Sequence, residues 1–173
     1  MFFIAAMDAD TQGMGFEGKL AWTREEGEQD MQHFQAKTTG KNVVVGHTTA
    51  IGLPPLKKRY VMVLRHREDG LLKNGNEYTL DELCQAIEKM ETRVEDGKDS
   101  VVICGGLATY LLMMREPRLR KHLTHGYISH INAAVTTQYD TYLTEFYDLV
   151  RQEAKYATVT ELPDGTKLET FVF

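Results

Sequence analysis

The chain is poor in cysteine, in excess positive charge and in long apolar runs. Each shortage removes a class of protein. Two cysteines in 173 residues, Cys84 and Cys104, stand alone without metal-ligand spacing. That excludes a disulfide framework and a zinc module and suits reduced thiols in a cytoplasmic compartment. Twenty Lys and Arg against 25 Asp and Glu leave a net charge of −5. A general nucleic-acid binder needs the opposite balance. The one basic segment, Arg115 to His125, is broken by Glu116 and Pro117 and has no alternating aromatics, so it reads as a solvated helix end or loop. No run approaches the roughly 20 apolar residues of a membrane helix. The apolar start, Met1 to Met7, lacks a basic flank and runs straight into Asp8 and Asp10. A first core strand explains it better than a signal peptide. Repeats, low-complexity tracts and linkers are missing as well.

What remains is a soluble globular chain, 42% hydrophobic and 26% charged, with a length that favours one domain over residues 1–173. Strand-like runs rich in Val, Ile, Tyr and Thr fall at 2–7, 42–46, 59–64, 100–104, 126–134, 153–160 and 168–173. A helix is expected over 25–38, with Met31, Phe34 and Thr38 at helical spacing and Asp30 one turn before Phe34. A second is expected over 79–93. It opens on the capping box Thr79-Leu80-Asp81-Glu82, shows Leu80, Leu83, Ile87 and Met90 on one face, and stops at Gly97. A third should start at Gly105-Gly106 and run through Tyr110, Leu111 and Met114. Strand–helix alternation followed by strands without helices predicts an α/β fold. Its sheet is mixed but mostly parallel, closed by a C-terminal antiparallel hairpin around Pro163-Asp164-Gly165. Residues 8–25 form a long irregular stretch with Gly13, Gly15, Gly18 and the sole tryptophan, Trp22. Such a loop is more often functional than idle.

Two hydrophobic runs break into glycine or hydroxyl residues where a helix should begin: Val43-Val44-Val45-Gly46-His47-Thr48-Thr49 and Ile103-Cys104-Gly105-Gly106-Leu107-Ala108-Thr109-Tyr110. The first turn of a helix leaves backbone N–H groups unpaired at the positive end of its dipole, so such breaks favour anions. Two of them suggest a dinucleotide. Asp30 adds a lone carboxylate facing inward, which is costly to bury unless it meets a partner or a ligand.

With these pieces in this order, the chain resembles the dihydrofolate reductase family along nearly its whole length. Ile4-Ala5-Ala6 is similar to the first strand and Met14 through Trp22 to the mobile active-site loop. Asp30 with Phe34 is similar to the acidic helix, and Arg59 before Tyr60-Val61-Met62-Val63-Leu64 to the Arg-then-strand segment. Cys104-Gly105-Gly106 with Tyr110 is similar to the double-glycine turn, whose peptide is cis in that family. Tyr127 through Ile131 and Asp140-Thr141 complete the order.

The resemblance implies reduction of 7,8-dihydrofolate by NADPH, with hydride to pterin C6 and a proton to N5. Asp30 would orient the pterin and favour N5 protonation, assisted by the Ser129 hydroxyl, with Trp22 and Leu20 in the covering loop. Ile4, Met31, Phe34, Gln35, Ile51, Leu56 and Cys104 would line the substrate pocket, and Arg59 would take the glutamate α-carboxylate. For the cofactor, Gly46, His47, Thr48, Thr49, Gly105, Gly106, Leu107 and Ala108 would cradle the pyrophosphate. Ile4, Ala6 and Tyr110 would bracket the nicotinamide, while Met14, Gly15 and Thr141 complete the site. Arg65 and His66, with Arg67, would hold the 2′-phosphate. No metal is implied. The chain departs from the family at His47, where relatives carry Arg, at Cys104 for Ile, at Ser129 for Thr, and at Ala50 for a bulky aromatic. The expected partners are dihydrofolate and antifolate inhibitors, with no nucleic acid or membrane, and the expected state is a monomer. Two other readings stay open: a reductase of pyrimidine-riboside phosphates with the same fold, and a non-catalytic nucleotide-binding module.

Overall fold

The computed structural model describes residues 1–65, 76–92 and 100–173. The described strands build an eight-stranded and a three-stranded sheet. At the centre of the larger is β1 (Phe2–Asp8), every residue of which is buried. Its side chains alternate between two cores, as strand geometry requires. Phe3, Ala5 and Met7 join one cluster, while Phe2 and Ile4 join the other. β1 runs parallel to β7 (Val101–Ile103) on one side and to β8 (His125–Ile131) on the other. β4 (Asn42–Gly46), β5 (Tyr60–Leu64) and β6 (Glu77–Tyr78) continue the parallel run. Beyond β8 lie β11 (Lys167–Val172) and then β10 (Tyr156–Glu161), the expected antiparallel hairpin.

One face of the sheet is covered by α3 (Leu80–Glu91), α4 (Leu107–Arg115) and α6 (Thr144–Glu153), through Leu83, Ile87, Met113, Phe146 and Val150. The capping box at Thr79 and Glu82 forms as the sequence predicts; the Gly97 stop lies outside the described residues. The other face takes α1 (Glu28–Thr38) and the short α2 (His47–Gly52), through Phe34 and Ala50.

Three expectations need correction. Helix α6 stands between the late strands, where none was anticipated. Residues 8–25 are not irregular throughout: β2 (Gly13–Phe16) pairs with β3 (Lys19–Leu20) and with β9 (Thr141–Tyr142) in the three-stranded sheet. And α1 begins at Glu28 rather than at 25. Thr23 and Glu26 exchange side-chain-to-backbone hydrogen bonds in a separate turn, and Glu26 is further tied to Ala134 N.

The basic segment spends its charge inside the chain. It holds α5 (Pro117–Arg120), and Arg118, Arg120 and Lys121 pair with Asp81, Glu153 and Glu88. Among the described residues no helix is long and apolar enough to cross a membrane.

Candidate active site

On α1, Asp30, Phe34 and Thr38 follow one another at one-turn intervals along the inner face. Asp30 is only 7% exposed. Burial pushes its carboxyl from the ordinary range up to about 6; the nearby Ser129 hydroxyl opposes the rise and Asp164, in the β10–β11 turn, adds to it. Ser129 points from β8 into the same space and is fully buried. Its Oγ makes no hydrogen bond of ordinary geometry. The expected Ser129–Asp30 bond is therefore replaced by proximity alone, and both groups keep hydrogen-bonding capacity.

Two turns further along the helix, roughly 12 Å at 1.5 Å per residue, the site ends in a cation. Arg59 Nη1 donates to Thr38 Oγ1 at 3.0 Å and its Nε to Lys57 O at 3.1 Å. The guanidinium carbon lies 5.9 Å from the Phe34 ring centre. Phe34 and Leu56 are half-buried in the core on this face, with Cys104 beside them. Burial holds the Cys104 thiol far above its usual range, so it is a neutral wall. Met31 and Ile51 are 43% and 76% exposed, and Gln35 is also exposed. The sequence places Met31 on the inward face, but Asp30, Phe34 and Thr38 occupy that face and leave Met31 at its rim.

The two strand-to-helix breaks meet each other. Gly46 N donates to Gly105 O at 2.8 Å, and Cys104 N to Val44 O at 2.8 Å. The Gly105–Gly106 peptide is cis. A Cβ on Gly46 would come within 2.7 Å of Thr109 Oγ1, and one on Gly106 within 3.0 Å of Thr49 Oγ1. Neither α2 nor α4 has a side-chain hydrogen bond at its N-cap. The first-turn amides from His47 to Thr49 and from Leu107 to Ala108 therefore belong to two helix starts that the Gly46–Gly105 hydrogen bond holds side by side. Tyr110 is buried against Gly105. Its hydroxyl donates to Ile4 O at 2.7 Å, and its ring stacks on Phe146 rather than standing free.

The loop that follows β1 is pinned over this region. Glu17 and Gly18 both have positive φ, at 50° and 78°, as a two-residue turn between paired strands requires. Glu17 N donates to Asp140 Oδ2 at 2.8 Å, and Asp140 N to Gly15 O at 2.9 Å. The Glu17 amide, with the Thr141 hydroxyl, holds the Asp140 carboxyl below its usual range. Thr141 sits opposite Gly15 and donates to Asp140 Oδ1. Gly13 is obligatory, because a Cβ there would lie 2.2 Å from the Tyr139 ring. Trp22 is buried with Ala6 and Ile131, while Leu20 is half exposed at the hairpin's end and Met14 packs on the core. At the far side of the sheet, Arg65 Nε lies 3.3 Å from Glu77 Oε1. His66 and Arg67 lie outside the described residues. Thus the structure unites Asp30, Ser129, Phe34, Cys104 and Arg59, and separately joins the two glycine turns. The latch role of Asp140 and the pairing of Arg65 with Glu77 were not anticipated. Asp140 stands with Thr141 in the family-like order, but nothing in the sequence marks it as a latch.

A family model described as dihydrofolate reductase matches residues 1–163. This chain belongs to the dihydrofolate reductase family. It is accordingly an oxidoreductase whose reaction is dihydrofolate reduction. Among solved structures it is similar to a dihydrofolate reductase from Enterococcus faecalis, complexed with NADP(H) and RAB-propyl. The identity is 22%, the match covers 99% of this chain and 95% of that one, and the TM-score is 0.65. At that identity the likeness speaks for the fold. No curated protein matches.

Proposed function

We propose that this enzyme reduces 7,8-dihydrofolate to 5,6,7,8-tetrahydrofolate with NADPH in the cytoplasm, serving one-carbon metabolism and thymidylate synthesis, and that antifolates compete for the same pocket. The observation that carries the site assignment is the line from Asp30 to Arg59. A buried carboxylate with unspent hydrogen-bonding capacity stands at one end. A guanidinium stands at the other, with Phe34 between them. A pterin bearing an amino group and a ring N–H suits the first, and an α-carboxylate the second.

The two adjacent uncapped helix starts suit a pyrophosphate. Their first-turn amides carry no side-chain caps, and a Cβ at Gly46 or Gly106 would press on Thr109 or Thr49 and force the two turns apart. NADPH, when bound, supplies the hydride. Gly46 to Thr49 and Gly105 to Ala108 would hold its phosphates, with Ile4, Ala6 and Tyr110 near the nicotinamide end. Arg65 is already paired with Glu77, so a 2′-phosphate would share that arginine with a carboxylate. His47 is exposed and adds a weaker donor than the arginine of relatives. NADPH should therefore lead NADH by a smaller margin than two free arginines would give.

Asp30 binds the 2-amino and N3 edge of the pterin and so fixes its register. Near neutral pH its raised pKa keeps a proton within reach of the site, and a water relays a proton toward N5. Ser129 steadies the carboxylate. Leu20, Trp22 and the hairpin held by Asp140 exclude bulk water from the reacting edge. The deciding experiment follows the loss of NADPH absorbance with purified enzyme and dihydrofolate, beside NADH. Turnover with both, faster with NADPH and blocked by an antifolate, is expected. Binding of NADPH without turnover would remove the catalytic assignment.

A further inference from the structure

We propose that Glu77 is a specificity-determining residue for the cofactor: beside Arg65 it lets the enzyme accept a ribose 2′-hydroxyl as well as a 2′-phosphate, and so draw on NADH. The inference rests on the reading of the cofactor site given above.

The strand order puts this pair where the adenosine half of a dinucleotide would lie. Ligands of parallel sheets bind beyond the carboxyl ends of the strands. The order runs β1-β7-β4-β5-β6. With the nicotinamide end assigned to β1 and α4, the adenosine end falls on the opposite side of the two helix starts, over β5 and β6. At that end Gly46 of β4 stands opposite Leu64 of β5. Val63 and Leu64 stand opposite Glu77 and Tyr78 of β6. Neighbouring strands are about 4.8 Å apart, so Glu77 lies roughly 10 Å from Gly46 and the first turn of α2.

Both side chains turn to the face that carries α2. Val63 N donates to Asn76 O at 2.8 Å and Arg65 N to Tyr78 O at 2.9 Å, a ladder that continues past the end of β5. Residues 63 and 65 therefore share one side, and the register sets Glu77 beside Val63 on that side. Val63 belongs to the core beneath α1 and α2. Arg65 Nε lies 3.3 Å from Glu77 Oε1, and the two side chains are only 18% and 11% exposed.

The pair offers opposite chemistry to the two cofactors. A 2′-hydroxyl is a donor, and dinucleotide sites that select NADH meet it with a carboxylate; a 2′-phosphate calls for a guanidinium. Glu77 can accept from the hydroxyl and opposes the phosphate. Arg65 can donate to the phosphate, but part of its fork is already turned to Glu77. A pair that merely tied β6 to the sheet would make no such distinction.

The test is calorimetric binding of NADP+ and NAD+, which differ only in the 2′-phosphate, to the full chain and its variants. Glu77→Gln keeps the side chain's shape and removes its charge. It should tighten NADP+ ~10-fold by removing a like charge and weaken NAD+ ~3-fold by exchanging a carboxylate acceptor for an amide. Arg65→Gln should act in the opposite sense and weaken NADP+ ~10-fold. If Glu77→Gln fails to fold, Glu77→Thr, whose side chain suits a strand, takes its place. A ratio of the two dissociation constants that neither Glu77 variant shifts overturns the proposal, even if the enzyme reduces dihydrofolate. A shifted ratio in a chain that never reduces dihydrofolate upholds it and removes the reductase assignment instead. A chain that binds neither nucleotide overturns both.

Discussion

Strand β8 presents successive side chains to opposite faces of the sheet, and each face holds a buried carboxylate. On one, His130 Nε2 lies 3.0 Å from Glu169 Oε2, and the same oxygen accepts from Tyr147 Oη at 2.9 Å. Arg151 reaches the Tyr147 hydroxyl at 3.4 Å. On the other, Ser129 faces Asp30 without an ordinary hydrogen bond. The two acids are equally buried, each 7% exposed. What differs is satisfaction. Glu169 has its partners within the protein and holds the sheet to α6. Asp30 has been taken from water without an ordinary hydrogen bond from Ser129, and on the proposed assignment a ligand completes what the protein leaves open.

The sharpest way to break the contrast is Asp30→Asn. It should lower dihydrofolate turnover at neutral pH by ~100-fold or more, with partial recovery in acid, where the substrate arrives protonated. The same change should stabilise the free protein. Asp30 has a folded pKa of about 6 against an ordinary unfolded value. The native state therefore binds more protons than the unfolded chain between those values, and stability falls as pH rises through the window. Above pH 6 the cost reaches roughly 3 kcal/mol. Denaturant melts of parent and variant should converge below pH 4 and separate above 6. Near-normal turnover, or a variant less stable at pH 7, would sink the assignment.

The reverse is expected across the sheet. Glu169→Ala leaves the Tyr147 hydroxyl and the His130 ring without a shared acceptor and should remove ~3 kcal/mol of stability. At a temperature where the variant stays folded, kcat should remain within about twofold of the parent. A large loss of kcat in fully folded protein would join this network to the chemistry. Ser129→Ala is the smallest perturbation. It removes a group that favours ionised Asp30, so the alkaline limb of the pH–rate profile should move upward by a fraction of a unit. An unmoved limb would make Ser129 packing only.

Much of this contrast was legible in the residues. Asp30 one turn before Phe34 announced an inward carboxylate, and Gly46 and Gly105-Gly106 announced open helix starts. The capping box at Thr79 placed α3 almost to the residue. Glu169 was silent, because a glutamate in Leu168-Glu169-Thr170-Phe171 reads as the polar half of an alternating strand, and only tertiary packing from Tyr147 and His130 turns it inward. Helix α6 escaped for want of a start signal: its N-cap is Leu143, with no side-chain hydrogen bond. β2 and β3 escaped because glycines carry no strand propensity; their pairing is imposed by β9 and by Asp140. The exposure of Met31 followed from a helix face narrower than the hydrophobic spacing implied.

Arg59 carries a further consequence. An arginine side chain gives up roughly 2 kcal/mol of rotamer entropy when it is held in one arrangement. Here Lys57 O and Thr38 Oγ1 already restrain the fork beside Phe34. Much of that disorder is surrendered once, as the chain folds, rather than at each encounter with an anion. On the proposed assignment the guanidinium is a prepared socket, and the lifetime of a bound carboxylate would depend on a threonine that need never touch it.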